Sequence, residues 1–133
     1  MWKPNDTDPR PIWKQIEDRL HLLVASGRLS AGNAVPSVRQ SARQMGVNPA
    51  TVAKAHQRLG AARILEVRRG EGTFVRELPA SRVASMRLEI LSAAAEAFVH
   101  RASMLGFDDD DAHQQLAEAW EGHCRRPSET EDE

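Results

Sequence analysis

Apolar residues recur along the first sixty positions at helical intervals, broken by residues that stop helices. Ile12, Ile16, Leu20, Leu23 and Val24 follow at steps of four and three, the spacing of an inward stripe on an α-helix. This helix is predicted to begin near Pro11 and to stop at Gly27. Residues 28–36, RLSAGNAVP, hold Gly, Asn and Pro between periodic segments and read as a loop. Two short helices follow. Val38, Ala42 and Met45 line one side of the first, with Ser37 as cap, Gln40 placed to complete a capping box, and Gly46 as the closing residue. Val52, Ala55 and Leu59 line the second, with Asn48 as N-cap and Pro49 at the first helical position. Thr51, Lys54 and Arg58 fall on another side, with Asn48 at the tip. This is the geometry of a helix-turn-helix, whose second helix enters a major groove by its N-terminal end.

The period then changes. Residues 64–67 and 73–76 are rich in strand formers, and the connector between them carries Arg68, Arg69, Gly70, Glu71 and Gly72, which predicts a β-hairpin. A two-stranded ribbon is marginal alone, so Ile64, Val67 and Phe74 or Val75 are expected to pack on the helices. The tip is left to project with its arginines, and the glycines suit close approach to a phosphate backbone or narrow minor groove.

Pro79 marks the start of a helical part. Val83, Met86, Ile90, Leu91, Ala94, Ala97, Phe98 and Leu105 predict a long amphipathic helix over 81–105, ended by Gly106. A second helix is expected from the acidic run 108–111 through Leu116 and Trp120 to about His123. Two helices close no core by themselves. Met86, Ile90, Leu91, Ala94, Phe98, Leu116 and Trp120 are therefore expected to meet the same helices of a second copy.

The predicted fold class is mainly α with a small β-hairpin. Its parts are a flexible arm (1–10), a DNA-binding domain (11–78), a two-helix dimerisation region (79–124) and a disordered acidic tail (125–133). The net charge of −1 conceals an asymmetry. Residues 1–78 hold 13 Lys+Arg against 7 Asp+Glu, a net of +6, and residues 79–133 hold 5 against 12, a net of −7. A polyanion would meet the first part and repel the second. The 41% hydrophobic and 28% charged content is that of a globular chain, with no apolar run near the roughly 20 residues of a membrane span. The N-terminus has no signal-peptide pattern and Cys124 is alone, so a reducing cytoplasm is expected.

Few residues suggest other chemistry. His113, His123 and Cys124 match no structural-zinc spacing, so no metal or cofactor is expected. The run 108–111 lacks the glycine and glutamate of a calcium loop and reads as a helix start. His56 lies beside the inward face and reads as packed. Phe98, Met104 and Trp120 read as dimer core, so that a small-molecule effector, of unidentified chemistry, would sit between protomers. No catalytic arrangement occurs, and the chain is not expected to be an enzyme.

Four segments in order, PIWKQI from Pro11, SGRLSAGNAVPSVRQSA from Ser26, MGVNPATVAKAHQRL from Met45 and RRGEGTFV from Arg68, resemble the GntR family of bacterial transcription regulators. The length and two-helix C-terminal part resemble its short YtrA-type subfamily. The resemblance implies a winged helix-turn-helix binding operator DNA as a two-fold dimer, expected to act as a repressor. It puts Arg39, Thr51, Gly70 and Gly72 at positions that touch DNA. Arginines common in the family are replaced by Pro49 and Ala53, which turns attention to Asn48, Lys54 and Arg43, beside Arg58, Arg68 and Arg69 from the residue pattern. Ser41 stands where leucine is usual and is a candidate to bond back to a helix carbonyl. Arg63 stands where glycine is usual and is a candidate for a left-handed backbone. The rival readings are a protein-interaction module on a winged-helix scaffold and a nonspecific architectural DNA binder.

Overall fold

The computed structural model describes residues 2–126. Its elements are α1 (Ile12–Ala25), β1 (Ala34–Val35), α2 (Val38–Met45), α3 (Pro49–Ala61), β2 (Leu65–Arg68), β3 (Gly72–Val75), α4 (Ala80–Met104) and α5 (Asp109–Arg125). The chain divides into two compact units, one spanning Trp2–Arg87 and the other beginning at Leu88.

In the first unit, α1, α2 and α3 pack around Ile16, Ala42, Val52 and Ala55, with Ile12, Leu20, Val38, Met45 and Val47 closing over them. The inward stripe of α3 is complete, since Val52, Ala55 and Leu59 are all at most 2% exposed. Burying each of the larger side chains contributes about 1.5–3 kcal/mol. Trp2, to which the sequence assigns no role, packs on the same cluster. The segment after it is tied to α1 by the buried Gln15, whose amide accepts from Asn5 N–H at 2.7 Å and donates to the Asn5 and Arg10 carbonyls. Ser41 donates its hydroxyl at 3.3 Å to Pro36 O, a carbonyl ahead of α2 rather than the helix carbonyl expected of it.

The sheet has three strands in the order β1-β3-β2, all antiparallel. The third strand corrects the loop expected over 28–36, because Ala34 and Val35 pair with Phe74 and Thr73. A two-residue strand shows no alternation in sequence; its pairing is decided by β3 arriving beside it. The apolar side of the hairpin also differs from expectation. Leu65 and Val75 are paired and 2% exposed, whereas Val67 is 79% exposed. Val67 faces the same way as Leu65 but lies two residues nearer the tip.

The unit includes the first two turns of α4. Met86, expected on a partner-facing surface, is 4% exposed and serves this core instead. Arg82 donates to the carbonyls of Ala62 and Arg63 at the end of α3. Arg63 has φ 60°, the left-handed conformation foreseen for it, at a cost of about 1–3 kcal/mol for a residue with a Cβ.

In the second unit, α4 ends at Met104, Gly106 follows with φ 82°, and α5 begins with a full capping box. Asp108 accepts from Asp111 N–H at 2.9 Å, and Asp111 accepts from Asp108 N–H at 3.2 Å. Ile90 and Phe98 are half-buried, while Leu91, Leu116 and Trp120 are 68%, 52% and 71% exposed and Ala94 is exposed. The expected tail beyond Arg126 lies outside the described residues.

Candidate nucleic-acid interface

The turn of the helix-turn-helix is built from its own residues. Gly46 takes φ 69°, which brings Val47 N–H to Ala42 O at 3.0 Å and closes α2. The Val47 side chain then packs on the core, so the turn's direction is fixed from inside. Ser37 starts α2 by accepting from Gln40 N–H at 3.1 Å, which is the Ser37 half of the expected box. Asn48 starts α3 by accepting from Ala50 N–H at 2.9 Å. With that oxygen taken by the cap, Asn48 has its side-chain NH2 left to offer a ligand.

The candidate cations separate into two classes. Arg39 and Arg43 on α2, Lys54 on α3 and Arg69 at the ribbon tip are exposed and form no ion pair among the described residues. Arg58 and Arg68 are occupied. Arg58 Nε lies 3.1 Å from both carboxylate oxygens of Glu17. It also sits ten residues beyond Asn48, about 15 Å along the helix. Arg68 Nε bonds Glu66 at 2.8 Å and its guanidinium lies 4.3 Å over the Phe74 ring. That ring belongs to the ribbon face opposite Leu65 and Val75.

Gly70 and Gly72 have φ of 77° and 121°, and Glu71 N–H closes the turn on Arg68 O at 2.9 Å. Both are needed by the backbone of the turn itself, since L side chains rarely adopt these angles. Thr51, half-buried one turn before Lys54, stands on the same stripe of α3. His56 is half-buried, and burial lowers its pKa from the ordinary value. The sequence reading missed Trp13, whose ring lies under both Lys54 and Arg58. Its only signal is an aromatic four residues before Glu17 on α1.

Between α4 and α5 the second unit has an open groove of about 550 Å³, lined by Phe98, Leu105 and Phe107 with Arg101 and Asp111 at polar positions. His113 Nδ1 lies 2.8 Å from Asp109 O, which raises its pKa above the ordinary value. No helix among the described residues is long and apolar enough to cross a membrane.

Comparison with known proteins agrees with this geometry. Residues 13–75 match the family described as bacterial regulatory proteins, gntR family. The helix-turn-helix regulator YhcF of Bacillus subtilis is 31% identical over 113 residues, 85% of this chain and 93% of that protein. The transcriptional repressor YtrA of the same organism is 29% identical, covering 84% and 88%. A GntR family transcriptional regulator from Listeria monocytogenes has a similar structure, with TM-score 0.70, 29% identity and coverage of 84% and 96%. With the capped helix-turn-helix, the ribbon and these matches in agreement, the chain belongs to the GntR family of transcription regulators, and its first unit is a DNA-binding winged helix.

Proposed function

We propose that this regulator is a cytoplasmic homodimeric repressor of a palindromic operator. Each α3 enters a major groove by its Asn48 end and each ribbon tip approaches the adjacent minor groove. The observation that carries this reading is the division among the cations. Arg39, Arg43, Lys54 and Arg69 form no ion pair among the described residues, while Arg58 and Arg68 are paired. In the proposal Arg39, Arg43 and Arg69 contact phosphates, Asn48, Thr51 and Lys54 face base edges, and Gly70 and Gly72 let the ribbon backbone come close. Arg58 and Arg68 shape the interface from behind. The repressor role is supported by the likeness to YtrA, which is named a repressor, and the dimer by the exposed apolar stripes of α4 and α5. An effector that releases the operator would enter between protomers at these helices.

The test begins by sequencing chromosomal fragments that the protein retains. A recovered duplex and a scrambled one are then compared in a mobility-shift titration at moderate salt. A repressor of this kind discriminates by about 10³-fold or more, and Arg39→Ala and Lys54→Ala each weaken the specific complex. Equal affinity for both duplexes establishes an architectural binder. Weak, salt-labile binding indifferent to either substitution establishes an interaction module.

A further inference from the structure

Helix α1 lies outside the helix-turn-helix, yet it supplies the group that the recognition helix rests its cations on. Lys54 Nζ is 4.2 Å from the centroid of the Trp13 ring and Arg58 Cζ is 4.8 Å from it. Residues 54 and 58 are neighbours on one face of α3, so a single indole meets both. The two cations differ in what else holds them. Arg58 is also bound by Glu17, one turn along α1 from Trp13, with a carboxylate side chain only 14% exposed. Lys54 pairs with no carboxylate among the described residues. Trp13 thus touches one neutralised cation and one that keeps its charge for a ligand.

We infer that Trp13 is a positioning residue of the DNA interface, its ring holding the Lys54 ammonium in place on the recognition helix before DNA arrives. The inference rests on the DNA-contact role proposed for Lys54 and adds a determinant from α1. A free lysine samples many rotamers and loses them on contact. A ring that already holds the ammonium removes part of that loss without neutralising the charge, which a carboxylate would do. Glu17 and Arg58 act as a second clasp, fixing α1 against α3 so that the ring keeps its place.

The test is a double-mutant cycle in the full chain, read by fluorescence anisotropy on the recovered duplex. Trp13→Leu is expected to weaken binding about two- to fivefold, the range of an exposed cation–π contact. In the Lys54→Met background the same change is expected to have almost no effect, because nothing is left to position. Equal losses in both backgrounds overturn the inference and make Trp13 packing alone. Trp13→Phe, which retains a ring, is expected to retain most of the coupling and guards against a leucine variant that folds poorly. A second readout needs no DNA. The chain has three lysines, Lys3, Lys14 and Lys54, and after reductive methylation with labelled formaldehyde the Lys54 methyl resonance is expected upfield, shielded by the ring. An unshifted Lys54 resonance in the unaltered protein overturns the contact itself. A chain that binds no duplex overturns the regulatory reading with this one, whereas binding without coupling overturns this one alone.

Discussion

Leu59 and Leu91 are the same residue type on two amphipathic helices, yet one is 2% exposed and the other 68%. Leu59 stands on α3, which packs against α1 and α2 and adjoins β2 in the first unit. Leu91 belongs to a unit whose described residues form two helices. Leu88, Val99, Leu105, Leu116 and Trp120 are all more than half exposed with it. Similar periodicity in sequence thus has two outcomes. Where enough elements follow one another the stripe folds the chain, and where they do not it stays at the surface.

The largest effect is expected from cutting the chain at that division. A fragment ending at Arg87 keeps Met86 and Arg82 and with them the packing of the first unit. It is expected to stay folded, to scatter light as a monomer, and to lose about 10²–10⁴-fold in affinity for a two-half-site duplex as avidity disappears. A fragment that still runs as a dimer would overturn the assignment of α4 and α5.

Next in size is the contrast between the two leucines. Leu59→Ala is expected to cost about 2–5 kcal/mol in denaturant unfolding, while Leu91→Gln leaves the first unit's stability unchanged and raises the protein concentration at which dimers form. A concentration-independent loss at position 91 would show that its stripe belongs to an intramolecular core. The cations provide a smaller contrast of the same form. Arg39→Ala is expected to lower the salt slope of operator binding by about one unit. Arg58→Ala, which breaks a half-exposed ion pair, is expected to change stability by about 0–1 kcal/mol and leave that slope nearly unaltered.

The smallest effect concerns pH. His56 has a folded pKa below its ordinary value because burial opposes its charge. The unfolded chain therefore takes up that proton first, so the contribution to stability is present above about pH 6.5 and is lost as pH falls through it. His113 acts in the opposite sense, its pKa being raised chiefly by the Asp109 carbonyl, and its contribution is lost as pH rises. The midpoint of thermal unfolding at about pH 5.5 is expected to move closer to that at about pH 7.5 in His56→Gln than in the unaltered protein. An unchanged gap would show that the His56 ring is solvated.

Local chemistry made much of this legible in advance. Gly46, Asn48, Pro49 and the acidic start of α5 act on backbone groups within a few residues of themselves, so they define their turns and caps wherever the chain lies. The stripes of α1, α2 and α3 were equally plain, whereas the left-handed backbone at Arg63 was one of two outcomes, with a changed turn, that the family resemblance suggested. Several features of the interface were not. Arg58 is an arginine on the exposed side of a helix in sequence, and only its approach to Glu17, 41 positions away, shows that it is occupied. Arg68 is a wing arginine until the ribbon register sets Glu66 and Phe74 beside it.

By itself, then, the order of residues determined where helices start and stop, which faces are apolar, and that the cationic end is a helix-turn-helix with a ribbon. Those features depend on neighbours separated by one turn or one pleat. Tertiary structure alone decided that Ala34 and Val35 form a strand, that Met86 is inside while Val67 is outside, and that Trp13 lies beneath Lys54. Each of these depends on two distant segments arriving at the same place, and a residue's own neighbours carry no record of that meeting.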